Sequence, residues 1–188
     1  SSLSKIYISM HLVDVQTKRY HTVKMTDQTV ECLGKDFKKM GEYEIRDDFC
    51  GHINGIAEKM CVESQLQESL EFVDISTLEE RLLGENSITH EFTDKISGWC
   101  RSRFIPVDYD ENGRLLHVLF CIECIEEEKK RENRLIYLAR TDLMTGLCNR
   151  GSGEKRITEL LKEKTGGLLC LIDCDKFKSI NDTYGHSV

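Results

Sequence analysis

One carboxylate stands where chemistry is easiest to place. Residues 166–174 read Gly-Gly-Leu-Leu-Cys-Leu-Ile-Asp-Cys, a continuous apolar run that predicts a strand buried on both faces. Asp173 closes the run. A carboxylate at the end of a buried strand carries a high desolvation cost unless a cation meets it. A hard divalent ion such as Mg²⁺, which takes carboxylate oxygens together with the phosphates of a nucleotide, suits that position. The plainer reading is an aspartate, Asp173 or Asp175, capping the next helix. On that helix Phe177 and Ile180 would pack inward, Lys178 reads by itself as a solvated residue, and His186 reads as a loop residue.

A second motif precedes the first: Asp142-Leu-Met-Thr-Gly-Leu-Cys-Asn-Arg150. Thr145 and Gly146 predict a tight turn, Asn149 a cap for the helix that follows, and Asp142 with Arg150 a pair across the turn. Ile157, Leu160 and Leu161 then mark one helical face. Gly146 to Gly153 is not a phosphate-binding P-loop, because Ser152-Gly153 stand where Lys-Ser/Thr is required. The nine cysteines are odd in number and irregular in spacing, which fits reduced thiols in a cytosolic protein. Cys121-Ile-Glu-Cys124 lies at the end of a predicted strand, where residues three apart point to opposite faces. That favours small buried apolar residues over a metal or redox pair.

These residues need elements to hold them. The 188 residues allow one full domain and part of another. Residues 1–124 hold 14 Lys/Arg against 22 Asp/Glu, and the acidic balance argues against nucleic acid or anionic lipid as partner. No window approaches the roughly 20 apolar residues of a membrane helix, and the first residues lack a signal pattern. The expectation is a cytoplasmic piece, excised from a parent that could carry membrane segments elsewhere.

Ile6, Ile8, Met10 and Leu12 alternate with Tyr7, Ser9 and His11, the period of a half-buried strand. Gln16 to Arg19 make a turn, and Tyr20 to Met25 return as a second strand. Phe49, Ile53, Ile56 and Met60 lie on one helical face, with Asp47 or Asp48 as cap. Ser76 and Glu79 form a capping box. Three strands follow: one through Ile88, His90 and Phe92, one from Trp99 to Val107 with Pro106 near its end, and a central one from Leu115 to Ile122. Asp108 to Gly113 is the turn between the last two. Glu126 to Arg140 is a charged helix with Glu126–Lys130 and Glu127–Arg131 pairs.

The class is therefore α+β with an antiparallel sheet. The front part resembles a PAS domain, a small sensor fold, most clearly in His90-Glu-Phe-Thr93, Gly98 to Val107 and Asp110 to His117. The tail, Asp142 to Arg150 and Leu171 to His186, resembles the opening of a GGDEF domain, the catalytic domain of diguanylate cyclases. The resemblances divide the chain into a PAS-like sensor (1–124), a signalling helix (125–141) and a truncated α/β GGDEF fragment (142–188). They imply a cyclase that joins two GTP into cyclic di-GMP, each 3′-hydroxyl attacking the α-phosphate of the opposite GTP. Asp173 and the main-chain carbonyl of Cys174 would hold Mg²⁺, Asn181 would read the guanine edge, Lys178 would steady phosphate charge, and His186 would touch substrate. They also imply a homodimer paired through the helix and an unidentified small-molecule ligand in the sensor pocket. The Gly-Gly-Asp/Glu-Glu-Phe loop is not in the chain, so the fragment itself is expected to be inactive. The alternative is a non-catalytic ligand-binding and dimerisation module whose GTP-binding domain is degenerate. A third reading, haem held by one of His11, His21, His52, His90 or His117, lacks a ligating pattern.

Overall fold

The computed structural model describes residues 7–27, 45–163, 166–173 and 175–185, the side chains of Ile180 and Tyr184 excepted. They divide into two compact units after Leu135.

In the first unit β1 (Tyr7–Asp14) and β2 (Tyr20–Met25) form the expected hairpin. Its turn is closed by Asp14, whose carboxylate accepts the amides of Gln16 and Thr17, each at 2.9 Å. Helices α1 (Phe49–Met60), α2 (Glu63–Val73) and α3 (Leu78–Arg81) follow, with a 3₁₀ turn at Ile75–Thr77 between the last two. Asp48 caps α1, its Oδ1 accepting the Gly51 amide at 2.9 Å. A Cβ at position 51 would run into that carboxylate, which explains a glycine inside this helix. The Ser76–Glu79 capping box does not form. Asp74 stands nearer the turn and takes the Ser76 amide at 2.9 Å and its hydroxyl at 2.8 Å. A charged acceptor one place ahead of the turn displaces the neutral serine from that role.

The sheet is completed by β3 (Ile88–Asp94), β4 (Gly98–Tyr109) and β5 (Leu115–Cys124). Its order is β2-β1-β5-β4-β3 and every pairing is antiparallel. β5 is central, as its two apolar faces predict. β3 pairs with β4 only as far as Phe104, so Pro106, which lacks an N–H, lies beyond the reach of β3. At the β4–β5 turn Asp110 accepts the amides of Asn112 and Arg114, both at 2.8 Å, and Gly113 takes a φ of 78°.

The helices cover one face of the sheet. Phe49, Ile53 and Ile56 of α1 meet Phe104, Val118 and Phe120 there, with Leu78 and Leu82 beside them. Each fully buried phenylalanine contributes about 2–3 kcal/mol of transfer free energy. The alternation read in β1 holds from Ser9 to Val13, and the buried set is the more polar one. Ser9, His11 and Val13 point to the helices and are buried, Met10 and Leu12 take the half-covered face, and Ile8, at a bulge, packs against Cys61, Phe92 and Cys100. The register explains this. His11 lies opposite Phe120 and Val13 opposite Val118, both on the helix side of β5. Successive residues alternate faces, so those pairings commit the strand from Ser9 onward.

On the opposite face Glu91, Arg101 and Glu123 stand in one row across β3, β4 and β5. Arg101 pairs with Glu91 at 2.7 Å and approaches Glu123 at 3.5 Å, and Arg103 reaches Glu123 at 3.1 Å. Helix α4 (Glu126–Arg140) starts directly after β5 and locks onto this row. Glu128 pairs with Arg101 at 2.9 Å, Lys129 with Glu91 at 2.6 Å, and Glu126 accepts the Trp99 amide at 2.9 Å. The Glu126–Lys130 pair forms at 3.7 Å, but Glu127 turns to Lys130 at 3.0 Å instead of to Arg131.

The second unit holds α5 (Arg150–Lys162) and α6 (Phe177–Tyr184). The strand expected over 166–174 is not seen in its described part: residues 166–173 take no regular structure, and Leu168 and Leu171 are 91% and 97% exposed. A strand is held by its ladder, and the strands among the described residues all lie between Tyr7 and Cys124. Apolar sequence without a hydrogen-bonding neighbour does not make one. Among the described residues no helix is long and apolar enough to cross a membrane.

Candidate functional site

The Asp142–Arg150 motif folds as a self-contained turn. Asp142 accepts the Thr145 hydroxyl at 2.8 Å and its amide at 3.0 Å, and these bonds hold its carboxyl below the usual carboxylate range. The Asp142 amide donates to the Leu147 carbonyl at 2.8 Å, and Gly146 supplies a φ of 72°. Asn149 caps α5 as predicted, its Oδ1 accepting the Ser152 amide at 3.0 Å, and its side-chain Nδ2 donates to the Ala139 carbonyl at 2.8 Å. The pairing of Asp142 with Arg150 gives way to a local one, Arg150 to Glu154 at 2.9 Å. The motif is architectural: it ties the end of α4 to the start of α5.

The chemistry-bearing residues lie further on. Asp173 is exposed at the end of the irregular run, not at the end of a buried strand, so the desolvation argument for a cation does not apply to it here. Lys178 and Asn181 are three apart on α6 and share one side of it. Lys178 is exposed and Asn181 half-buried. Neither aspartate caps α6. Its N-cap is Lys176, in the left-handed conformation at φ 57° and without a side-chain cap bond. Gly185 ends the helix at φ 82°, its amide donating to the Asn181 carbonyl at 2.8 Å. Phe177 is more than half exposed instead of packed inward, and the Ile180 side chain is outside the description. Cys174 and His186, the other expected contacts, lie outside the described residues. Among the described residues no group of three or more His, Cys, Asp or Glu side chains could hold a metal ion.

In the first unit a cavity of about 30 Å³ lies between α1 and the sheet, lined by Ile56, Met60, Phe92 and Ile122 with Ser9, Cys61 and Asp94. That is room for a water molecule, whereas small-molecule sites run to several hundred Å³. Large side chains fill this part of the domain. His11, missed as a core residue, sits among the rings of Tyr20, Phe49, His52 and Phe120, with centroids 5.7–6.4 Å away. Its Nδ1 is 3.2 Å from the Thr22 hydroxyl, and its Nε2 has no hydrogen-bond partner among the described residues. Burial first, then the nearby His52, Arg46 and His21, pushes its pKa down to about 3. An axial-ligand role for His11 would require those rings to leave. His90 contacts the Ser69 hydroxyl at 3.1 Å, and His117 pairs with Asp108 at 2.8 Å.

Comparison with known proteins bears on the second unit. Residues 139–188 match the family model described as diguanylate cyclase, GGDEF domain. Diguanylate cyclase DgcM of Escherichia coli strain K12 is 38% identical over 77 residues, 37% of this chain and 18% of that protein. Cyclic di-GMP phosphodiesterase PdeR of the same strain is 38% identical over 64 residues, 33% of this chain and 10% of that protein. Probable diguanylate cyclase DgcE, also of that strain, is 34% identical over 80 residues, 40% and 7% of the two chains. The chain thus spans less than a fifth of the length of these relatives. The turn at Asp142 and the run from Leu171 through α6 both fall within the stretch, residues 139–188, that resembles the GGDEF domain of diguanylate cyclases.

Proposed function

We propose that this chain belongs to cyclic di-GMP signalling, with a PAS-like sensor unit (1–124) joined by a signalling helix (125–141) to the opening part of a GTP-using GGDEF unit (142–188). The observation that carries the reading is the family match over residues 139–188, which encloses Asp173, Lys178 and Asn181. The five-stranded antiparallel sheet with helices on one face supports the sensor assignment. The exposed Leu135, Ile136, Tyr137 and Leu138 on α4 support pairing of that helix with its twin in a homodimer.

In the nucleotide unit each residue has a task. Asp173 presents carboxylate oxygen at an exposed position. Mg²⁺ bound with nucleotides takes one or two carboxylates and completes its shell with phosphates and water, so a single aspartate fits it. The Cys174 carbonyl is the second protein oxygen of this reading. When bound, the ion supplies charge neutralisation on the phosphates and lowers the pKa of the attacking hydroxyl. Asn181 offers a donor and an acceptor to the guanine edge. Lys178, an ammonium on the same side of α6, stabilises negative charge that builds on the phosphates during transfer. His186 adds a substrate contact. Because the signature loop is not in these residues, turnover is assigned to a polypeptide that carries both.

The test is to incubate such a polypeptide with GTP and Mg²⁺ and to measure cyclic di-GMP, with residues 1–188 alone as the second sample. Product from the first and none from the second is expected, and Asp173→Ala should abolish it. Unchanged turnover in that variant would remove Asp173 from the site. A second reading is a unit that binds GTP without converting it; one relative that matches is named for cleaving cyclic di-GMP and not for making it. GTP binding without product would select it.

A further inference from the structure

The cysteine pair conspicuous in the sequence, Cys121 and Cys124, cannot close on itself. Cys121 sits opposite Arg103, and Cys124 sits on the other face of β5. The register gives Cys124 a different neighbour. It lies directly opposite Cys100 of β4, on the face covered by the helices. The hydrogen-bond phase of the ladder is fixed by two observations. The Ile125 amide donates to the Trp99 carbonyl at 2.8 Å, which makes that rung a hydrogen-bonded one. Pro106, which has no N–H, occupies the same phase as Cys100, six residues away. Rungs alternate, so Cys100 and Cys124 form a non-hydrogen-bonded pair. In such pairs the Cα atoms stand about 4.5 Å apart and the side chains are closest. That separation lies at the short end of the range a disulfide spans. Both are thiols here, and Cys124 Sγ donates weakly to the Ser97 carbonyl at 3.5 Å.

We infer that Cys100 and Cys124 are a reversible thiol switch, closed by a peroxide into a cross-strand disulfide at the root of α4. Cys124 is half-buried and Cys100 fully buried, so the peroxide reaches the Cys124 sulfur first. The O–O bond breaks, one oxygen leaves as water, and the other stays on Cys124 as a sulfenic acid. The Cys100 sulfur then attacks that sulfur, an S–S bond forms, and the second oxygen leaves as water. Two thiols lose two electrons and two protons, and one peroxide becomes two waters. Burial pushes the Cys100 thiol up, so it stays protonated until it meets the sulfenic acid directly across the rung, where its proton leaves with the departing oxygen as water. Cys124 is partly exposed, so the bond stays open to reduction, which suits a switch. Its place gives it a consequence. Ile125 and Glu126, the next two residues after Cys124, bond to the main chain of Trp99, the residue before Cys100. The disulfide would therefore staple β4 to β5 where α4 takes off.

The switch is independent of the nucleotide chemistry, and its failure would leave the proposed function untouched. The experiment treats the full chain with hydrogen peroxide under native conditions, blocks remaining thiols, digests with trypsin and maps disulfides by mass spectrometry. The expected result is a link between peptide 96–101, which carries Cys100, and peptide 115–129, with fragmentation placing the bond at Cys124. The link should vanish on treatment with dithiothreitol and be missing from Cys124→Ser, while Cys121→Ser keeps it. A bond within peptide 115–129, a link from Cys61 to Cys100, or full alkylation of Cys100 and Cys124 after peroxide would overturn the inference. The wild-type map decides the matter even if a variant fails to fold.

Discussion

His11 gives the sharpest quantitative expectation, because a histidine with no exposed surface must stay neutral to remain where it is. Its pKa is about 3 in the folded chain against 6.5 for an unperturbed imidazole. Between those values the unfolded chain carries a proton that the folded chain does not. Stability conferred by the neutral ring is complete above pH 6.5 and is lost as pH falls toward the folded value. The loss approaches about 1.4 kcal/mol per pH unit. Going from pH 7.5 to 4.5 it sums to roughly 2.5 kcal/mol, or nearly 100-fold in the folding equilibrium. Carboxylates and His52, whose pKa burial lowers to about 4, also titrate on the way down. The carboxylates remain in a variant that lacks His11, and so do burial and Arg46, the causes that lower His52. The measurement is therefore a difference: urea unfolding of wild type and His11→Phe at pH 7.5, 6.5, 5.5 and 4.5. The variant's offset at pH 7.5 is irrelevant, since Phe repacks among Tyr20, Phe49 and Phe120. Its stability should fall with acid less steeply than wild type, by about the amount above. Parallel pH profiles would refute the reasoning and mean that His11 titrates normally.

Three further outcomes test the local arguments. Gly51→Ala should lower stability by about 1 kcal/mol, because the new methyl displaces the Asp48 cap; alanine elsewhere in a helix raises stability over glycine by a similar amount, so the sign alone decides. Arg101→Ala should cost about 2 kcal/mol in urea unfolding, since its guanidinium joins Glu91, Glu123 and Glu128. The gap should narrow with added salt as repulsion among the three carboxylates is screened, and a salt-independent gap would contradict the network. Asn149→Ala should lower the helix signal of α5 and cost about 1 kcal/mol, while Asn149→Asp keeps the cap to Ser152 and loses only the bond to the Ala139 carbonyl.

Much of the fold is readable where one local rule acts alone. The hairpin of β1 and β2, the turn at Asp110, helix α1 with its Asp48 cap and the Asn149 cap all follow from side chains that bond within a few residues. What the sequence conceals depends on distant partners. α2 is obscured in the sequence although Leu66, Leu70 and Val73 carry its period, because Ser69, buried against Cys61 and His90, breaks the apolar pattern. The inward face of β1 is hidden because Met10 and Leu12 are more apolar than Ser9 and His11. The pairing with Phe120 and Val118, more than a hundred residues away, settles the face. Residues 166–173 fail in the opposite way. Their composition is strand-like, and composition cannot supply a ladder.

The same distinction governs the functional residues. Lys178 and Asn181 can be placed on one side of a helix from spacing alone, and α6 puts them there. Asp173 rests on a buried strand end that these residues do not form, so its role leans on the family match and not on desolvation. The thiol pair and the clamp on α4 are invisible in the same sense. The sequence offers Cys121 and Cys124 as a pair because they are near in number, but alternation along a strand separates them and register joins Cys124 to Cys100. It also offers the first turn of α4 as a solvated run of charge. Glu126, Glu128 and Lys129 instead bind Trp99, Arg101 and Glu91 on the sheet. The helix is thus fixed at its first turn by the strands that carry the thiols, whereas Leu135 to Leu138 stay exposed. A change in how β4 and β5 are joined must act on α4 through that first turn, and the test is direct. Peroxide should slow amide exchange at the start of α4 in wild type and not in Cys124→Ser. Equal exchange in both would mean that the staple and the clamp are mechanically separate.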